Sequence, residues 1–117
     1  MAEFMLLLHE STTAASEMSP EEIQAIIAKY QAWNDSLAEA GKLVGGAKLA
    51  DEGGKILTGS NAAPRVIDGP YSETKEIVGG YFTVRAADYD EAVEIARGCP
   101  HLDFGGRIEI RRIDELD

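Results

Sequence analysis

The polar chemistry of this chain is densest at Asp68-Gly69-Pro70-Tyr71, with Glu73, Lys75 and Glu76 close behind. Asp-Gly-Pro is a turn unit. The carboxylate accepts from backbone N–H groups just beyond it, the glycine permits angles other residues avoid, and the proline fixes the exit. A rigid turn also holds a carboxylate still, and proton transfer needs a reach of about 3 Å. Asp68 is therefore the residue expected to act as a base, accept a ligand hydrogen bond or orient a histidine. The plainer alternative is that the unit only shapes the chain. Tyr71 can close an apolar pocket and offer one hydrogen bond. Glu73, Lys75 and Glu76 read either as ligand contacts or as solvated surface of little energetic weight.

Two histidines are present. His9 ends an apolar run, where it can face a cleft, and an ordinary pKa of about 6.5 suits a histidine to acid–base work. A strand-end polar residue is the simpler reading. His101 follows Pro100 near Asp103 and is a weaker candidate for ligand contact. His9, Asp68, His101 and Asp103 show no compact metal-ligand spacing, so no metal is expected. The phosphate-loop, dinucleotide and nucleophile-elbow patterns are missing, and no cofactor is expected. The single cysteine, Cys99, allows no internal disulfide and reads as a small packing residue beside a helix end.

A formal net charge of −10 argues against nonspecific affinity for nucleic acid or anionic membrane. The apolar run Phe4–Leu8 is too short to span a bilayer, and no leader pattern stands before it, so a cytoplasmic protein is expected. The chain has 117 residues, of which 44% are hydrophobic, which suits one domain over 1–117 with a real core.

The elements that must position these residues follow from patterning. Phe4–Leu8 reads as a buried central strand. The segment 11–18 is an aperiodic connection, a flap over a site or a plain loop. Ser19-Pro20-Glu21-Glu22 carries a cap, a proline at the first helical position and the acid of a capping box. Ile23, Ile26, Ile27, Tyr30, Trp33, Leu37 and Ala40 then form one apolar helical face ending near Gly41. Tyr30 and Trp33 serve the core or line a space between helix and sheet. Leu43–Leu49 is a second strand whose glycines suggest a bulge or a close approach. Residues 55–58 and 65–67 read as an inserted hairpin, and 77–85 as a strong strand. Gly79-Gly80 within that strand implies close packing of backbone, partner or ligand. Asp88 and Glu91 start a second helix that stops by Pro100, and residues 108–113 make a last strand.

Without the hairpin the order is β-α-β-β-α-β, the split ferredoxin-like plan of the α+β class: an antiparallel sheet with both helices on one face. The other face keeps apolar side chains that no element covers. This predicts a homodimer with two sheets face to face, with closure into a barrel as one arrangement of the pair.

The chain also resembles the YCII-related family, in particular the branch marked by an Asp-Gly-Pro-Phe motif. The likeness rests on Phe4-Met5-Leu6-Leu7, Ser19-Pro20-Glu21-Glu22, the block from Asp68-Gly69-Pro70-Tyr71 to Glu76, Gly79-Gly80-Tyr81, and Gly106-Arg107-Ile108-Glu109-Ile110-Arg111. Tyr71 stands where the motif has phenylalanine. The resemblance implies a dimeric α+β barrel. It also implies relatives mostly without established activity, among them one class of enzymes acting on chlorinated aromatic rings through a histidine–aspartate arrangement. Those enzymes place the histidine near the first helix. Here that helix has none, and His9, ahead of it, is the nearest candidate. The resemblance thus marks Asp68 and its turn as the pocket, with His9 as partner. The expected function is binding of a small organic molecule, with metal-free acid–base chemistry on it. A noncatalytic ligand-binding, regulatory or structural dimeric domain is the alternative.

Overall fold

A computed structural model describes residues 1–12 and 19–116. From residue 13 onward, the connection expected as flap or loop lies outside the described residues. Strand β1 runs Ala2–Ser11, helix α1 Pro20–Glu39, β2 Leu43–Lys48, β3 Lys55–Ser60, β4 Ala63–Asp68, β5 Glu76–Ala86, helix α2 Tyr89–Arg97 and β6 Arg107–Arg112. A 3-10 turn, Pro100–Phe104, occupies what patterning reads as loop.

Four strands form one antiparallel sheet in the order β2-β5-β1-β6, with β1 central as its unbroken apolar run requires. This is the β-α-β-β-α-β topology, and β3 and β4 pair as a separate two-stranded sheet. The expected barrel is overturned. The four-stranded sheet ends at open edges, β2 and β6, and the hairpin does not bridge them. Closure needs every strand to have two neighbours, and these edges have one each. The principal extents, 47 × 47 × 18 Å, are those of a flat body.

Both helix starts are written in the sequence. The Ser19 hydroxyl accepts the Glu22 N–H at 3.1 Å, and the Asp88 carboxylate accepts the Glu91 N–H at 2.9 Å. The core lies between the sheet and the helices: Phe4, Leu6 and Leu8 of β1, Val84 and Ala86 of β5, Leu37 of α1, Ala92, Ile95 and Ala96 of α2, and Cys99. Burial pushes the Cys99 thiol up in pKa, against a weaker opposing hydrogen bond from the His101 backbone, so it packs as a neutral group.

The apolar face of helix α1 is only partly buried. Only Leu37 is buried, while Ile23 and Ile27 are 46% and 45% exposed. The C-terminal end docks and the middle of the helix stands over a space. The cause lies in the strands below, where Gly46, Gly79 and Gly80 raise no side chains to meet the helix. Two of these glycines are held to that identity by packing. A Cβ on Gly46 would come within 2.8 Å of Phe82 Cδ1, and one on Gly80 within 2.9 Å of the Ala47 carbonyl. Gly79 is the residue skipped where the β1–β5 register shifts, between the Leu8–Gly80 and His9–Val78 pairs.

Candidate functional site: a glycine-floored cavity under the first helix

The space beneath α1 is a cavity of about 370 Å³, within the range of small-molecule sites. Ile27, Tyr30, Gln31 and Asn34 of α1 form its roof, and Leu8 and Phe82 supply apolar wall. Tyr30 stacks on Phe82 at 6.3 Å, and Trp33 meets the same ring edge-on at 4.9 Å. The helical spacing of Tyr30 and Asn34, one turn apart, puts both on the roof.

One end of the cavity is polar. The 3-10 turn brings in His101, which is buried. Its Nε2 lies 2.7 Å from the backbone oxygen of His9. A carbonyl only accepts, so Nε2 carries a proton, and in that neutral tautomer Nδ1 is an acceptor. The Tyr30 hydroxyl sits 3.5 Å from Nδ1 and is its donor in that tautomer. Burial pushes the Tyr30 phenol far above its ordinary pKa, and nearby Cys99, Glu10 and Asp103 add in the same direction. Tyr30 is therefore a neutral hydroxyl at physiological pH. Gly106 backs the imidazole so closely that a Cβ there would clash with the ring.

Two further polar groups line the space. The Glu10 carboxylate occupies the position a Gly79 side chain would take, so the bulge glycine makes room for it. The Asn34 Oδ1 is buried and has no hydrogen-bond partner among the described residues. A second hollow of about 290 Å³ adjoins, sharing Glu10 and Gly79 with the first and reaching Gly53, Gly54 and Pro70. Among the described residues, no group of three or more His, Cys, Asp or Glu side chains is placed to hold a metal ion.

Asp68, Tyr71, Glu73, Lys75, Glu76 and the His9 side chain do not line this cavity. The Asp68 side chain is 84% exposed and forms an ion pair with Lys55 across the base of the hairpin. Pro70 is the member of the turn that lines a hollow. Tyr71 is exposed, its carbonyl accepting the Thr74 N–H at 3.0 Å. Glu73 accepts from the Ser72 hydroxyl at 3.2 Å. The Lys75 carbonyl accepts the Thr12 N–H at 3.0 Å, tying the start of β5 to the end of β1. Glu76 pairs with Arg107 at 2.7 Å, a bond that holds the Glu76 carboxyl below its ordinary pKa. The His9 imidazole bonds Glu109 at 2.9 Å, and that bond likewise lowers the Glu109 carboxyl. His9 and Asp68 thus engage different partners. His9 reaches the cavity through its backbone oxygen, on the ring of His101.

Sequence reasoning passed over Glu10 and Asn34 and ranked His101 low. The available signal was the glycines: Gly46, Gly79 and Gly80 fall on adjacent strands, and Gly46 pairs opposite Phe82. Missing side chains on neighbouring strands leave a hollow in the sheet surface.

The profile of the YCII-related domain family matches residues 2–117. The chain belongs to that family. It is also similar to an uncharacterized protein of Rhizobium meliloti (strain 1021), with 32% identity over 110 residues, covering 92% of this chain and 89% of the relative. Among the described residues, no helix is long and apolar enough to cross a membrane.

Proposed function

We propose that the protein binds a small organic molecule in the cavity beneath α1 and can move a proton at its polar end. The carrying observation is the placement of His101 between the His9 carbonyl and the Tyr30 hydroxyl. Its Nε2–H is committed to the His9 carbonyl, so Nδ1 faces Tyr30 as a base. In this relay a ligand O–H or N–H gives its proton to the Tyr30 oxygen while the Tyr30 proton passes to His101 Nδ1. The imidazolium keeps its bond to His9. Asp68, with Lys55, holds the hairpin base, and its turn shapes the adjoining hollow through Pro70. The Asp68-Gly69-Pro70-Tyr71 sequence supports membership of the Asp-Gly-Pro-Phe branch, and a reducing, cytoplasmic setting fits the buried thiol of Cys99.

Binding without turnover is the second reading. It is favoured by the 3.5 Å Tyr30–His101 separation, at the long limit for such a bond. Conversion of a bound compound by the wild type, abolished in Y30F, decides for the relay.

The amide resonances of Gly46, Gly79 and Gly80 test the site. A weakly binding aromatic alcohol, 2-phenylethanol, is expected to shift them and to change the fluorescence of Trp33, the chain's single tryptophan. I27F fills the mouth from an exposed position and is expected to abolish both changes, whereas D68A is expected to leave them intact. Shifts confined to the outer sheet face, or retained in I27F, overturn the proposal.

We also propose that two copies pair through the β3–β4 hairpin. Leu57 and Val66 on it are 69% and 65% exposed, and an isolated two-stranded hairpin is only marginally stable. It carries Lys55, Arg65 and Asp68 on a chain of net charge −10, so it is a comparatively basic arm facing an acidic second copy.

A further inference from the structure

We infer that the cavity ligand is a protonated amine on a ring-sized apolar body, its N–H groups answered by the Glu10 carboxylate and Asn34 Oδ1. The inference rests on the cavity being the binding site and specifies the chemistry it takes.

The apolar part follows from the walls. Leu8, Ile27 and Phe82 offer dispersion contact and no hydrogen bond, which suits a hydrocarbon or aromatic body. The polar part follows from what the remaining groups lack. Asn34 Oδ1 is a buried acceptor without a donor. A buried oxygen left unpaired is costly, and a ligand N–H relieves it. Glu10 presents a carboxylate over Gly79 at the boundary of the two hollows. Lys48 is the one Lys or Arg among the lining residues, and its ammonium is turned to the Leu49 carbonyl at 3.0 Å and Asp51 at 3.1 Å. The charge of Glu10 is left for a ligand to neutralise.

His101 does not supply the missing cation. Its Nε2–H is committed to the His9 carbonyl and its Nδ1 faces the Tyr30 hydroxyl, so neither nitrogen is turned to the ligand. A carboxylate or phosphate ligand would meet Glu10 and an amide oxygen with no counter-charge. An ammonium meets two acceptors, and the chain's net charge of −10 draws cations toward the mouth.

Three probes of matched shape test this: 2-phenylethylammonium, 2-phenylethanol and phenylacetate, titrated against the full chain at pH 7 and followed at Gly46, Gly79 and Gly80. The ammonium is expected to bind tightest and phenylacetate weakest. E10Q is expected to weaken the ammonium about tenfold, the usual weight of a charged hydrogen bond, and to weaken 2-phenylethanol much less. N34L is expected to weaken the ammonium as well. If all three probes bind the cavity equally, or E10Q leaves the ammonium unaffected, the amine assignment falls and the cavity remains a binding site. If none shifts these glycines, both fall together.

Discussion

His101 shows how a residue acquires a role that its place in the chain does not announce. Its ring is held by the His9 carbonyl on one side, the Tyr30 hydroxyl on another and the Gly106 backbone behind. Removing it in H101A strands the part-buried His9 carbonyl, which costs on the order of 1 kcal/mol, read as a lowered denaturant midpoint. G106A is the gentler probe. A methyl in that place pushes the imidazole out of position, so probe binding in the cavity falls while the far end of the core, at Phe4 and Leu37, keeps its packing. Unchanged binding in G106A would separate His101 from the site. Little of this was legible in the sequence. Asp68 stood out because a carboxylate on a rigid turn is a local pattern. The pairing of Tyr30 with His101 spans 71 residues and exists only once α1 and the 3-10 turn meet the sheet.

At the scale of elements the sequence was far more readable, because caps, periodicity and turns are local. Ser19, Asp88 and the alternation of β5 each place an element with its start and its buried face. The seating of α1 was not readable, since its apolar stripe says which side faces inward but not how high the floor stands. The open β6 edge of the sheet carries two charge pairs. Arg107 of β6 bonds Glu76 at the start of β5, and His9 of β1 bonds Glu109 of β6. Each lowers its carboxylate's pKa. A carboxylate depressed in the folded state adds stability above its ordinary value of 4.5, and that contribution is lost as pH falls through the lowered value. R107A removes the Glu76 share. Its stability should lie below wild type at pH 7, and the two denaturation curves should converge in acid. A gap constant with pH would assign the effect to lost packing of the arginine stem.

For the whole molecule, the radius of gyration of 16.4 Å exceeds the roughly 13 Å of a compact chain of this length. The sheet is open, and the hairpin stands apart with Leu57 and Val66 exposed. The sequence pointed to a barrel because an uncovered sheet face asks for cover. Pattern alone does not say whether cover comes by closure or from a separate arm. Light scattering at micromolar concentration should return about twice the 12.6 kDa chain mass. The double variant L57D/V66D should return the single mass with its far-ultraviolet spectrum preserved. A wild-type monomer across that range would remove the hairpin pairing. The arm has a further effect on how the protein responds to its own abundance. If its ordering is completed by another copy, the melting temperature climbs with protein concentration by mass action. Dilution alone then loosens the hairpin, and with it the Gly53 and Pro70 wall of the second hollow beside Glu10.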